Sequence, residues 1–173
     1  MAYSAEEPRD STIERVIELA FVGDRSRYQQ FIDGLLAVTP EDGSVILRGS
    51  AVTGYRWADN APFDADGPGT SDLDVTFVGG GMLNRWDEFY IPGLHTVPLS
   101  DEHPNACPDL TPLRSSLCTI AGRPVNIQAT SSIIQFARDV TMDQPWVELI
   151  ENRLKALEEM PVEAADAPPA KPG

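Results

Sequence analysis

The chain has 173 residues, of which 42% are apolar and 23% charged, and its formal net charge at pH 7 is −14. This length allows one domain with its own core, and the composition is that of a globular protein. The negative field repels polyanions, which makes bulk nucleic acid an unlikely partner. No apolar run approaches the roughly 18 residues that a membrane span needs, and the acidic N-terminus lacks the order of a signal peptide, so no membrane partner is expected.

Two cysteines, Cys107 and Cys118, are too few for a disulfide framework, so a cytoplasmic location is expected. Residues 1–160 are predicted to form the one domain. Residues 161–173 are dominated by proline and alanine, which predicts a disordered tail.

The first part of the chain predicts two helices. The capping-box pattern of residues 11–14 predicts a helix from Ser11 to about Ala20. Asp24 can cap a second helix, which Pro40 and Gly43 bring to an end. The apolar stripe of this second helix consists of Tyr28, Phe31, Leu35 and Leu36.

A pair of strands is predicted in the middle of the chain. Residues 44–47 are short, apolar and β-branched, which predicts a buried strand with Gly49 and Ser50 as its turn. An irregular excursion over residues 55–70 separates this strand from a second one over residues 73–78. The glycines at 79–81 break the second strand, and a helix is predicted over residues 82–89.

The last third predicts a loop, a hairpin and two helices. Residues 91–113 are interpreted as loop with at most one short strand or helical turn. The apolar runs 117–120 and 125–128 flank a turn at 121–124, which predicts a β-hairpin. A helix should begin at Ser131 or Ser132, and Asp143 can cap a final helix through Met160. The apolar stripe of this final helix would consist of Trp146, Leu149, Ile150, Leu154 and Leu157. Helices flanking a small mixed sheet predict the α+β (α/β) class in one domain.

The most informative residues are two carboxylates inside the second predicted strand. Side chains of a strand alternate between its faces, so Asp72 and Asp74 share one face while Leu73, Val75 and Phe77 share the other. Two like charges held close together are costly unless a cation neutralises them. Mg²⁺ is commonly bound by one or two carboxylates together with substrate phosphates. The pattern therefore predicts a metal site on the polar face.

Gly49-Ser50 followed by Asp72-x-Asp74, with a further strand at 125–128, resembles the DNA polymerase β-like nucleotidyltransferase superfamily. The likeness covers residues 45–128 and is greatest to the small stand-alone bacterial members. It implies a nucleotidyltransferase-like fold that moves a nucleotidyl group from a nucleoside triphosphate to an acceptor and releases pyrophosphate. Mg²⁺ or Mn²⁺ would be the cofactor, and the acceptor, whether a small molecule, a protein hydroxyl or an RNA end, stays open.

The resemblance also assigns roles to residues. It gives Asp72 and Asp74 to the divalent metals, and two ions about 3.5–4 Å apart would clamp the attacking and leaving oxygens. It gives Gly49 and Ser50 to the nucleotide phosphates, through backbone N–H groups in a turn that glycine lets approach closely. Arg48, just before the turn, is a further candidate for a phosphate contact.

Two features depart from the family pattern. The spacer over residues 51–71 is longer than usual and can shape a distinct substrate entrance. The position that aligns with the third acid of the family is Asn126, between Val125 and Ile127. Asparagine cannot act as a general base, but its carbonyl oxygen can bind a metal weakly or orient a hydroxyl.

Asn126 leaves two hypotheses open. The first is an active nucleotidyltransferase, in which Asp101 or Asp109 could replace the missing carboxylate. The second is a catalytically silent nucleotide-binding or protein-interaction module, such as one half of a toxin–antitoxin pair, on the same fold. Side chains in the long spacer can belong either to a lid or acceptor site or to a plain exposed loop; they are Trp57, Asp59, Asp64 and Asp66.

Overall fold

A computed structural model describes residues 7–154 of the chain. The helices are α1 (Arg9–Phe21), α2 (Arg25–Leu36), α3 (Ser50–Thr53), α4 (Gly80–Leu83), α5 (Thr111–Ala121) and α6 (Ile133–Asp139), with a 3₁₀ helix at Pro108–Leu110. The strands are β1 (Ser44–Arg48), β2 (Leu73–Val78), β3 (Phe89–Ile91), β4 (His95–Thr96), β5 (Val125–Thr130) and β6 (Trp146–Ile150). The predicted α+β class is confirmed.

All six strands form one mixed sheet in the order β3-β4-β5-β2-β1-β6. β2 lies between β1, to which it is antiparallel, and β5, to which it is parallel. The register places Arg48 opposite Asp74 and Asp74 opposite Asn126. Three strands that are distant in sequence therefore carry one row of polar residues across the sheet.

The other face of the sheet builds the core. On β2 the alternate residues Leu73, Val75 and Phe77 are fully buried, as the strand periodicity predicts. They pack with apolar side chains of α1, α2 and α5, and each such side chain stabilises the fold by roughly 1.5–3 kcal/mol. This core holds β2 rigidly, so the residues on its polar face have fixed positions.

The predicted hairpin around residues 121–124 is wrong. Residues 117–120 belong to α5, which ends at Gly122 with a left-handed φ of 68°, and the N–H of Gly122 donates to the carbonyl of Cys118 at 2.8 Å. A glycine between two apolar runs can end a helix as well as turn a hairpin. The helix carries the chain back across the core, so β5 runs parallel to β2.

The predicted final helix from Asp143 is also wrong over residues 143–150, whereas residues 153–154 are helical. Trp146–Ile150 is β6, which pairs antiparallel with β1, and Asp143 has a left-handed φ of 61° in the preceding turn. Periodicity alone does not tell a short apolar run in a helix from one in a strand. Here the run forms a strand because it pairs with the side of β1 that β2 leaves open. Leu157, the rest of that helix to Met160 and the tail at 161–173 lie outside the described residues.

The helix predicted over residues 82–89 is too long. α4 ends at Leu83, and Phe89 already belongs to β3. Between them the indole of Trp86 is buried and donates to the carbonyl of Val97 at 3.0 Å, which turns the chain toward the sheet. The segment 91–113 contains β4, the 3₁₀ helix and the first residues of α5.

Two of the predicted helix starts are confirmed and one is displaced. The carboxylate of Asp24 accepts from the backbone N–H of Arg27 at 3.0 Å. The hydroxyl of Ser132 likewise accepts from the backbone N–H of Gln135. α1 instead begins at Arg9 after Pro8, two residues before the predicted capping box. Within residues 7–154, none of the helices is long and apolar enough to cross a membrane.

The correction at α5 gives a test of the fold. Leu117 is fully buried on the inner side of α5, whereas Ser116 is exposed. We expect Leu117→Ala to lower the free energy of unfolding in urea by about 2–5 kcal/mol, because it leaves a cavity between helix and sheet. Ser116→Ala, the matched control, should change it by less than about 0.5 kcal/mol. Equal effects of the two substitutions would contradict this orientation of α5.

Candidate functional site

The polar row across β1, β2 and β5 brings the predicted site residues together. Arg48 ends β1, Asp74 lies near the start of β2, and Asn126 is the second residue of β5. Asp72 immediately precedes β2. Because β2 and β5 are parallel neighbours, their first residues lie side by side at the same end of the sheet.

The amide of Asn126 joins the two carboxylates. Its Nδ2 donates to Oδ2 of Asp72 at 2.8 Å and to Oδ1 of Asp74 at 3.0 Å. One neutral side chain therefore places both of its donor hydrogens between two like charges. Such hydrogen bonds to a carboxylate are stronger than those between neutral groups.

The pKa of Asp72 is raised above its ordinary value. The main cause is loss of solvent around the carboxyl group, although the residue as a whole is exposed, and the second is the charge of Asp74. The hydrogen bond from Asn126 and the charge of Arg48 oppose this shift. An acid whose pKa is raised by folding lowers the stability once it is ionised, so a bound cation would relieve a cost that the protein carries at neutral pH.

Arg48 balances the charge of Asp74. Its Nη1 lies 3.6 Å from Oδ2 of Asp74, and its Nη2 donates to Oε1 of Gln128 at 3.2 Å. The guanidinium also faces the ring of Phe136 in α6, 5.9 Å from the ring centre. Nε of Arg48 and Nε2 of Gln128 are buried with no hydrogen-bond partner among the described residues. Arg48 is thus held against the sheet and retains a free donor.

Gly49 makes the close approach of the turn to Asp74 possible. Its φ is +93°, where side chains are rarely found, and a Cβ there would lie 3.3 Å from Oδ2 of Asp74. Gly49 accepts from the N–H of Val52 at 3.0 Å and so begins α3, whose first residue is Ser50. The strained turn therefore lies directly against the carboxylate pair.

These residues line a cleft of about 180 Å³. Asp72, Asp74, Gly49 and Ser50 are among its lining residues. The remaining lining comes from the end of β1, from α3, from the spacer and from the turn before β6, namely Arg48, Thr53, Tyr55, Arg56, Trp57, Ala58, Gln144 and Pro145. Sequence reasoning did not find Gln144 and Pro145, because only the pairing of β6 with β1 brings them to the cleft.

Within the 51–71 spacer, the carboxylate of Asp64 holds the segment 64–71. Oδ1 of Asp64 accepts from the N–H of Ser71 at 2.9 Å, and Oδ2 accepts from that of Gly69 at 3.1 Å. The N–H of Asp64 donates in turn to the hydroxyl of Ser71 at 2.8 Å. The segment predicted as an irregular excursion is therefore closed onto the start of β2.

Arg123 completes this clamp from the other side. Its Nη1 and Nη2 donate to the two oxygens of Asp64 at 2.8 and 3.1 Å, with 4% of the Arg123 side chain exposed and 20% of the Asp64 side chain. Nη1 also donates to the carbonyl of Ser71, Nε to that of Ala20, and the guanidinium lies over the ring of Phe63 at 4.6 Å. Asp64 is thus a structural residue, and neither residue was assigned this role from sequence.

Asp101 and Asp109 do not replace the missing carboxylate. Asp101 accepts from Arg114 at 2.9 Å, and Asp109 pairs with Arg85 at 3.5 Å. Over residues 7–154, no three side chains of His, Cys, Asp or Glu converge as they would around an ion. A metal at this site would have two protein carboxylates.

Two carboxylates are compatible with Mg²⁺, which commonly takes the rest of its oxygens from phosphates and water. Rotation of the Asn126 amide by half a turn would present its carbonyl oxygen in place of its N–H groups. Asp72, Asp74 and Asn126 therefore form a donor set that fits Mg²⁺ or Mn²⁺ once phosphate oxygens are present.

Comparison of the chain with models of protein families, with curated proteins and with solved structures finds no match. The candidate function consequently rests on the residues of the cleft and their geometry.

The clamp predicts how stability depends on pH. Burial alone would raise the pKa of Asp64, but hydrogen bonds from Arg123, Ser71 and Gly69 outweigh it and lower this pKa to about 2. The unfolded value is about 3.9, so the contribution, on the order of 2 kcal/mol, is complete above about pH 5 and is lost as the pH falls toward 2. Asp64→Asn should flatten this acid limb in denaturant unfolding and cost about 3 kcal/mol at pH 7, because Arg123 loses its charge partner.

Asp59→Asn is the matched control. Asp59 lies in the same spacer, pairs with Arg56 at 3.3 Å and has 55% of its side chain exposed. It should change the unfolding free energy by less than about 1 kcal/mol at any pH. An Asp64→Asn protein whose stability falls as steeply as the wild type between pH 5 and pH 2 would contradict the clamp.

Proposed function

We propose that this protein is a divalent-metal-dependent nucleotidyltransferase, which moves a nucleotidyl group from a nucleoside triphosphate to an acceptor of unknown identity. One observation carries the proposal. The parallel pairing of β2 with β5 and the antiparallel pairing of β2 with β1 bring Gly49, Ser50, Asp72 and Asp74 to a single cleft, with Asn126 bonded to both carboxylates. These are the positions that the family resemblance assigns to phosphate and metal.

Each group has a role that follows from its surroundings. Asp72 and Asp74 would hold Mg²⁺ or Mn²⁺, which when bound neutralises phosphate charge and aligns the reacting oxygens. The turn at Gly49 and Ser50 lies against Asp74 and lines the cleft, where its backbone N–H groups would bind phosphate oxygens. Arg48 lines the same cleft, so its guanidinium can add positive charge to that wall.

The reaction itself depends mainly on positioning. Attack on the α-phosphorus needs the acceptor hydroxyl in line with the leaving pyrophosphate, with the phosphate charges screened. The fixed row of β1, β2 and β5 supplies a rigid floor for this arrangement. The net charge of −14 disfavours bulk nucleic acid as the acceptor and is compatible with a small molecule, a protein hydroxyl or an RNA end. A cytoplasmic location is part of the proposal, and both cysteines are free thiols.

The first experiment measures consumption of labelled nucleoside triphosphates with and without Mg²⁺. We expect Asp72→Asn and Asp74→Asn each to lower turnover by at least about 100-fold, because each removes a carboxylate that would hold the metal. Glu102→Gln, at an exposed carboxylate away from the cleft, should leave turnover unchanged. If the wild type consumes triphosphates and the two aspartate variants do so equally well, the site assignment is wrong.

A second candidate function follows from Asn126. With an amide where the family has a third acid, the same fold can be a catalytically silent module that binds a nucleotide or a protein partner, as in a toxin–antitoxin pair. The Asn126 amide already bridges Asp72 and Asp74, and Arg48 pairs with Asp74. The carboxylates therefore have hydrogen-bond and charge partners without a metal.

Asn126→Asp separates the two candidates. In a silent module the wild type binds Mg²⁺ and triphosphate without turnover, and Asn126→Asp should gain measurable turnover because three carboxylates then lie together at the end of the sheet. In an active enzyme the wild type already turns over, and this result would end the silent alternative. Asn126→Ala is the control, since it removes the bridge without adding a charge. A gain of turnover in Asn126→Ala would show that charge at position 126 is not the cause.

A further inference from the structure

We propose that Trp57 stacks on the base of the bound nucleotide and that the 55–62 hairpin is the base-binding wall of the cleft. This inference rests on the proposed function, since it names the part of the substrate that this wall would recognise. Trp57 lines the same cleft as Gly49, Asp72 and Asp74 and is 52% exposed. A large aromatic ring that remains in water beside a site for phosphate and metal suits a flat apolar group attached to phosphates, and a nucleobase is such a group.

The hairpin that carries Trp57 is rigid before anything binds. The N–H of Arg56 donates to the carbonyl of Ala61 at 2.7 Å, and the N–H of Asn60 donates back to the carbonyl of Arg56 at 2.9 Å. The carboxylate of Asp59 accepts from the N–H of Ala61 at 3.0 Å. A preorganised wall loses little conformational entropy when a ligand stacks on it.

The charge on this wall favours a base over another phosphate. The guanidinium of Arg56 donates to Asp66 at 2.7 Å and lies 3.3 Å from Asp59, so two carboxylates balance its charge. Phosphate would meet repulsion there, whereas an aromatic ring carries no charge to repel. At the other part of the cleft, a cation held by Asp72 and Asp74 would attract phosphate, so the two parts would differ in charge once metal is bound.

The size of the cleft also favours a base stacked on its wall. At about 180 Å³ it is smaller than the roughly 300–1,000 Å³ of pockets that enclose a drug-sized ligand. A triphosphate would therefore be held along an open groove, with its flat end against Trp57. Gln144 lines the cleft as well, and its amide can donate and accept hydrogen bonds at the edge of a base.

The experiment measures binding in the presence of Mg²⁺ with two kinds of probe. One kind is the α,β-methylene analogues of ATP, GTP, CTP and UTP, in which the bond broken during nucleotidyl transfer is blocked. The other is inorganic tripolyphosphate, which lacks a base. Trp57→Ala should weaken the best-bound analogue by roughly 5- to 100-fold, the range expected for loss of one stacked base, and should leave tripolyphosphate within about twofold.

Two matched variants and a spectroscopic signal complete the design. Trp57→Phe should keep most of the affinity because it keeps a stacking face. Tyr90→Ala, at an exposed aromatic residue on β3 that does not line the cleft, should change nothing. The analogues should quench tryptophan fluorescence in the wild type and not in Trp57→Phe, whereas tripolyphosphate should quench neither.

The possible failures are distinguishable. If the wild type binds the analogues and Trp57→Ala binds them equally well, the base-binding wall is wrong while the proposed function stands. Equal weakening of analogue and tripolyphosphate would likewise overturn the stacking role, because it would show a general effect on the cleft. If the wild type binds neither probe, the proposed function fails and this inference fails with it.

Discussion

The ion pair between Asp64 and Arg123 is the constraint on which the candidate site depends. Arg123 lies two residues before β5, and Ser71, which both partners contact, lies two residues before β2. One guanidinium therefore fixes the points at which the two parallel strands begin. Asp72 lies between Ser71 and β2, so its distance from Asn126 follows directly from this clamp. Taking two charges out of water is costly, and the additional hydrogen bonds to Ser71, Gly69 and Ala20 offset that cost.

The spacer between the glycine turn and the first aspartate gains its structure from the same clamp. Asp64 holds its C-terminal part, from residue 64 to Ser71, and its 55–62 hairpin is closed by its own backbone hydrogen bonds. A long spacer is thus compatible with a well-ordered cleft, because few residues need to be held for the rest to follow. The spacer adds Trp57 and Arg56 to the lining without disturbing the row on the sheet.

The sequence predicted those parts of the molecule whose signals are local. Alternation along residues 73–78 predicted β2 with its bounds, and a side-chain oxygen at Asp24 and at Ser132 predicted where two helices begin. α5 and β6 were misassigned because a glycine turn and a short apolar run each have two local solutions, and contacts distant in sequence select between them. The pairing of Asp64 with Arg123 and the arrival of Gln144 at the cleft leave no local signal at all. For Asn126 the prediction was half right. The strand that carries it was predicted, but its pairing with β2 and the parallel direction of that pairing were not.

Position 126 shows how the charge of the row limits what the site can do. Asp72 and Asp74 carry two negative charges, and Arg48 contributes one positive charge to the row. A third carboxylate would leave an excess that only bound metal could offset, whereas the Asn126 amide bridges both carboxylates with no charge of its own. The site is therefore stable without metal. The raised pKa of Asp72 shows that its ionised form is still disfavoured, and a bound cation would remove this cost. Under the proposed function, triphosphate would add negative charge at the same place, so the attraction for Mg²⁺ would be greatest when nucleotide and metal arrive together.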